Sequence, residues 1–131
     1  MENIKKNKIL IVEDEPAMIR ALTDNLESEG FEVLKARDGV EGLTMASAHH
    51  PDIILLDILM PIMDGLTMMQ KLRNQDVWGK KVPIILLTNL SPDEDRIMRR
   101  ITADEPAYYL VKTEWKLSDV IDKIKERLGR V

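Results

Sequence analysis

Five short apolar runs divide the chain: Lys8 to Val12, Phe31 to Ala36, Ile53 to Asp57, Val82 to Thr88 and Tyr108 to Lys112. Each has the length of a strand, and Ile53-Ile-Leu-Leu is apolar at every position, which predicts a strand buried on both faces. Helical spacing fills the gaps. Pro16 suits a first helical turn, Ile19, Leu22 and Leu26 recur along one face, and Gly30 suits the residue after the helix end. Asp38-Gly39 turns into a second helix with Val40, Leu43 and Ala46 inward. A third runs from Gly65 to about Arg73 with Met69 and Leu72 on one face, and a polar loop, Asn74 to Lys81, follows with Trp78 and Gly79. Ser91-Pro-Asp-Glu94 is a capping box that opens a fourth helix. Thr113 is positioned to cap a last helix that uses Leu117, Val120, Ile121, Ile124 and Leu128.

Strands alternating with helices predict an α/β fold, a parallel sheet covered by five helices on its two faces. At 131 residues the chain is expected to be one domain, with a core from 8 to 128, no linker and no output domain. It is 44% hydrophobic, which fits a packed core, and no apolar stretch approaches a membrane span. The start, Met1-Glu-Asn-Ile-Lys-Lys6, lacks the apolar segment of a signal peptide. With no cysteine there is no disulfide, thiolate ligand or thiol nucleophile. These features point to the cytoplasm. The net charge of −4 argues against a broad nucleic-acid surface.

The candidate chemistry lies where the apolar runs end. Parallel strands bring their carboxyl ends to one edge of the sheet, where open α/β sheets gather function. There the chain places Glu13 and Asp14, then Asp57, then Thr88, then Lys112. Three carboxylates so close would repel each other unless a cation joins them. Oxygen ligands without His or Cys select a hard divalent ion, and Mg²⁺ fits best. Metal, carboxylate, ammonium and hydroxyl together are what phosphoryl transfer requires.

These residues carry a resemblance. Ile-Val-Glu13-Asp14-Glu15, Leu-Leu-Asp57-Ile-Leu-Met-Pro61, Met63-Asp-Gly65, Leu-Leu-Thr88 and Tyr109-Leu-Val-Lys112 are similar, in order and spacing, to the response-regulator receiver domains of two-component signalling. The likeness runs from about Lys8 to Leu128 and is closest in kind to stand-alone, chemotaxis-regulator-like receivers. It implies a flavodoxin-like, doubly wound sheet of strand order 2-1-3-4-5. It also implies that Asp57 accepts a phosphoryl group from a sensor histidine kinase or phosphotransfer protein. Asp14, Asp57 and the backbone carbonyl of Leu59 would bind Mg²⁺, with Glu13 acting through water. Lys112 and Thr88 would hold the phosphoryl oxygens. Thr88 and Tyr109 would form the switch that signals to a downstream protein. The chain would be no enzyme beyond its own phosphotransfer and slow autodephosphorylation. It would be a monomer, or a weak homodimer through the helix opening at Ser91, the fifth strand and the last helix.

The chain departs from the family pattern in places. Thr113 replaces the usual proline after Lys112, and a non-proline cis bond costs about 2.5–4 kcal/mol, so a trans bond is expected. Asn89 is larger than the usual residue after the switch threonine. Leu59 and Leu90, two beyond Asp57 and Thr88, cannot activate water, which predicts a long-lived phosphoryl group. Ile101 to Pro106 lacks the usual glycine and predicts an irregular connection. Other residues read more plainly: Glu15 as a solvated acid at a helix start, Asp64 as a turn former, His49 and His50 as a helix C-terminal cap, the methionines as packing filler. Trp78 would cover the third helix or meet a partner. Arg96, Arg99 and Arg100 give the fourth helix a solvated face or a partner surface. The alternatives to a phosphoacceptor are a receiver-like binding module independent of phosphorylation, and an enzyme such as a phosphohydrolase or flavin protein.

Overall fold

A computed structural model describes residues 6–88, 108–111 and 116–129, with the backbone alone at 88 and 108–111. The strands are β1 (Lys8–Val12), β2 (Glu32–Ala36), β3 (Ile53–Asp57), β4 (Ile84–Thr88) and β5 (Tyr108–Val111). The helices are α1 (Pro16–Ser28), α2 (Gly39–His49), α3 (Gly65–Gln75), α4 (Val77–Lys81) and α5 (Leu117–Arg127). All strand pairs are parallel, in the order β2-β1-β3-β4-β5. This is the expected flavodoxin-like doubly wound sheet.

Alternation along the strands divides the core in two. Leu10, Val12, Ile54, Leu56, Ile84 and Leu86 pack with Ala46 of α2 and Met68, Met69 and Leu72 of α3. Ile9, Ile11, Ile53, Leu55, Ile85 and Leu87 pack with Leu22 and Leu26 of α1 and Val120, Ile121 and Ile124 of α5. Because successive side chains point to opposite faces, a strand must be apolar throughout to serve both clusters. β3 meets this requirement, with every residue from Ile53 to Asp57 buried. Asp52 sets its start: its backbone N–H donates to the Lys8 carbonyl at 2.8 Å, and its carboxylate accepts from the Lys8 N–H at 2.7 Å.

Several expectations need correction. The stretch from Asn74 to Lys81 is not a loop. α3 continues to Gln75, and Asp76 caps α4 by accepting from the Gly79 N–H at 2.7 Å. Val40 does not face inward; it is 47% exposed, and α2 buries Gly39, Gly42 and Ala46 instead. The helix lies close to its neighbours there: a Cβ on Gly42 would sit 2.7 Å from Met68 Sδ and 3.1 Å from Val12 Cγ1, so even a methyl requires the Met68 thioether to shift. Lys116, not Thr113, is the N-cap residue of α5, and its backbone N–H donates to the Asp119 carboxylate at 2.8 Å. Hydrogen bonding to β3 marks the start of β4 at Ile84, after Pro83, whose carbonyl accepts from the Ile54 N–H at 3.0 Å. The described helices include α4, which the sequence did not predict. The helix expected from Ser91 lies outside the described residues, as do the irregular connection at Ile101 to Pro106 and the Lys112–Thr113 peptide.

Trp78 has a clear place. Its ring stacks on His50 with centroids 4.2 Å apart and planes 7° from parallel, and it packs against the α2–α3 core. His50 is the C-cap of α2 in a left-handed conformation (φ 44°), as its position before Pro51 suggested. Arg73 is buried and donates from Nη1 to the carbonyls of Gly79 (2.8 Å) and Val82 (2.7 Å), holding α4 against the entry to β4.

Candidate functional site

The strand order reverses beside β1, so the crevice of the fold opens at the carboxyl ends of β1 and β3. Val12 pairs with Leu56, which sets the residues after β1 level with the end of β3. Ligand oxygens of Glu13, Asp14 and Asp57 all lie within 4.8 Å of one another. Glu13 and Asp57 are buried, at 2% and 6% exposure, and Asp14 is exposed. The Glu13 carboxylate accepts from the backbone N–H groups of Asp14 (3.1 Å) and Glu15 (3.2 Å). It thereby shapes the turn that carries Asp14 to the mouth of the crevice. Glu15, at the N-cap of α1, is exposed and makes no side-chain cap.

The loop after β3 folds back over Asp57. The Gly65 N–H donates to the Ile58 carbonyl at 2.8 Å, and a Cβ on Gly65 would lie 2.0 Å from the Asp57 carbonyl oxygen. No other residue fits there without moving the backbone. Asp64 is the N-cap of α3 and accepts from the Thr67 N–H at 2.7 Å, which agrees with its reading as a turn former. Leu59 is 57% exposed beside the crevice.

Asp57 pairs with Leu87, so Thr88 ends β4 at the same edge, next to β5 through its pairing with Val111. The backbone of Tyr109 pairs with Leu86. Lys112, Asn89 and Leu90 lie outside the described residues.

The donor set suits a hard divalent ion. Ligands about 2.0–2.1 Å from a common Mg²⁺ are themselves about 3–4 Å apart, a spacing that three carboxylate oxygens within 4.8 Å of one another satisfy. Among the described residues no other group of three such side chains comes together, and no helix is long and apolar enough to cross a membrane.

Two features here were not anticipated. One is the turn at Ile62, where the Met63 N–H donates to the Pro61 carbonyl at 2.7 Å and Ile62 has φ +68°. The other is the commitment of Glu13 to local backbone. Neither has a sequence signal: isoleucine is a poor marker of positive φ, and an acid beside another acid gives no hint of which one turns inward.

Residues 9–125 match the family model described as the response regulator receiver domain. A probable transcriptional regulator, ycf27, of Cyanophora paradoxa is 43% identical over 72% of this chain and 38% of its own length. The chain thus spans about two fifths of the length of that relative. Among solved structures, the signal receiver domain of a Syntrophus aciditrophicus histidine kinase is 32% identical, with a TM-score of 0.82 over 94% of this chain and 90% of that one. The receiver domain of sensor histidine kinase PA1611 from Pseudomonas aeruginosa has a magnesium ion coordinated in its active-site cleft. It is 29% identical, with a TM-score of 0.82 over 95% of this chain and 99% of that one.

Proposed function

Because the chain belongs to the response-regulator receiver family, we propose that it accepts a phosphoryl group on Asp57 and thereby switches a protein-interaction surface. The observation that carries this reading is the acid cluster. A carboxylate that is 6% exposed stands within 4.8 Å of two others at the switch point of a doubly wound sheet. Such a group is costly to bury as structure alone.

The donor is a phosphohistidine on a sensor kinase or phosphotransfer protein. An Asp57 carboxylate oxygen attacks phosphorus in line, the phosphorus–nitrogen bond breaks, and the imidazole leaves with its electron pair. An acyl phosphate remains on Asp57. Glu13, Asp14, Asp57 and the Leu59 carbonyl would hold Mg²⁺, which supplies charge neutralisation for the phosphoryl oxygens. Glu13 acts by fixing the turn on which Asp14 sits. Lys112 supplies an ammonium to one phosphoryl oxygen and Thr88 a hydroxyl donor to another. Tyr109 then moves toward Thr88, which couples the site to a partner-binding surface that includes β5 and α5. That surface meets the downstream protein or a second copy of the chain. The phosphoryl group stays on the protein, so the chain turns over no separate substrate. The apolar Leu59 and Leu90 leave an entering water without a base, so dephosphorylation is slow, and Leu90→Glu should accelerate it. The surroundings of such chemistry are cytoplasmic.

Incubation with acetyl phosphate and Mg²⁺ should add one phosphoryl group to the intact mass. Chelating the metal or introducing Asp14→Asn should slow the gain, and Asp57→Asn should abolish it. No adduct from any donor would leave a phosphorylation-independent binding module, and continuous release of phosphate would indicate a hydrolase.

A further inference from the structure

The amino-terminal edge of the sheet carries a second concentration of polar chemistry, roughly 15 Å along the strands from the acid cluster. A cleft of about 260 Å³ opens there, lined by Lys6, Asn7, Lys8, His49, His50 and Asp52. The strand register explains why these residues meet. Ile9 pairs with Ile53, so the residues that enter β1 lie beside those that enter β3. Neither Lys6 nor Lys8 has an ion-pair partner among the described residues. The chain as a whole carries −4, so two ammonium groups and two imidazoles around a single carboxylate run against its average. Lys80 and Lys81, in the last turn of α4, add positive charge at the same edge, because α4 leads into β4.

Negative charge alone does not match this cleft. Asp52 would repel a bare anion. Its carboxylate accepts from the Lys8 N–H at 2.7 Å and keeps further lone pairs for a donor. A fitting ligand therefore carries hydroxyl or amine donors beside its anionic group. His50 adds a third requirement. The left-handed turn at φ 44° needs only glycine or asparagine, so the backbone does not call for an imidazole. Trp78 stacks on one side of that ring and does not line the cleft. The cleft receives the other side of a ring held in place from behind, which suits a flat group. The Asn7 amide offers both a donor and an acceptor.

We propose that this cleft binds a nucleotide, with phosphate oxygens at Lys6, Lys8 and His49, ribose hydroxyls at Asp52 and the base against His50. Ammonium groups pair with phosphate as point charges. A carboxylate accepts from ribose hydroxyls, and a base stacks on an aromatic ring without demanding one sequence of contacts. At about 260 Å³ the cleft falls just below the range of about 300–1,000 Å³ that encloses larger ligands. That size fits a mononucleotide lying partly in solvent and is too small for a dinucleotide. The site makes no use of Asp57, so it stands apart from the phosphoacceptor reading.

The test is calorimetric titration of the chain with ADP. EDTA is present so that the acid cluster holds no metal that could recruit phosphates. One site with a Kd below about 1 mM is expected, and pyrophosphate and adenosine should each bind at least about tenfold more weakly. The chain has two histidines, and the ring proton signals of both should shift as ADP is added. His50→Gly, which suits the same turn, should weaken ADP about fivefold or more and leave pyrophosphate unchanged. Lys6→Gln combined with Lys8→Gln should weaken both ligands about tenfold or more. Absence of heat and of histidine shifts up to about 10 mM ADP would overturn the proposal. So would pyrophosphate binding as tightly as ADP, or ADP binding that neither variant alters. Tighter binding of oligothymidylate or polyglutamate than of ADP would assign the edge to a macromolecule and overturn it as well.

Discussion

Gly65→Ala is the substitution for which the packing makes the sharpest demand. An ideal Cβ at this position lies 2.0 Å from the Asp57 carbonyl oxygen, 2.9 Å from its carbonyl carbon and 3.0 Å from Ile58 Cα. Carbon–oxygen contacts normally stand at about 3.3 Å or more, so α3 has to retreat from the end of β3 by roughly an ångström. All three neighbours are backbone, and none can rotate away. The retreat also stretches the Gly65 N–H to Ile58 carbonyl bond, now 2.8 Å. Overpacking of this kind costs about 1–3 kcal/mol, and leaving buried backbone groups poorly paired adds about 1–3 kcal/mol. Replacing glycine by alanine in a helix returns at most about 1 kcal/mol. The net expectation is a loss of about 1–5 kcal/mol, or a fall in Tm of roughly 3–20 °C for a domain of this size. Urea unfolding followed by circular dichroism would measure it, and acetyl phosphate labelling should slow because the peptide carrying Asp57 is displaced. Gly42→Ala is the control: its closest neighbour is the flexible Met68 thioether at 2.7 Å, so the cost should stay below about 1 kcal/mol. A Gly65→Ala protein as stable as wild type would refute this packing argument.

Three further outcomes follow from local contacts. Arg73→Met should cost about 2–4 kcal/mol and change Trp78 fluorescence, because two buried carbonyls lose a charged donor and α4 loses its tie to β4; an unchanged urea midpoint and emission spectrum would contradict this. Asp64→Ala should cost about 1 kcal/mol through loss of the α3 cap, readable as a lower urea midpoint at constant slope. Ile62→Asn should stabilise the chain by about 1 kcal/mol by relieving the positive φ, and a lower Tm would show that Ile62 packs more than its exposure indicates.

Much of the architecture was legible because the two core faces demand it. β3 had to be apolar at consecutive positions to feed both clusters, and that run stands plainly in the sequence. The acid cluster was legible for a related reason, since Glu13 and Asp57 each follow an apolar run directly and Asp14 stands next to Glu13. What escaped lies where contacts, not periodicity, decide. α2 approaches the sheet through glycines, so its inward stripe runs through Gly39, Gly42 and Ala46 and the hydropathy pattern pointed to Val40 instead. α4 is one short turn, set by the Asp76 cap and the buried Arg73, and an arginine in sequence reads as surface. The start of α5 was misjudged because Thr113 is a better capping residue than Lys116, while the helix start is marked instead by the Asp119 carboxylate reaching back to the Lys116 backbone N–H.

The central claim is that one particular carboxylate, Asp57, carries the phosphoryl group. Borohydride reduces an acyl phosphate to an alcohol, so treating the chain after acetyl phosphate and Mg²⁺ converts a phosphorylated aspartate into homoserine, which peptide mass spectrometry can locate. Homoserine at position 57 alone is the expected result. Homoserine at Asp14, Asp52 or Asp64 with Asp57 intact, or a phosphoryl group found on His49 or His50, would contradict it.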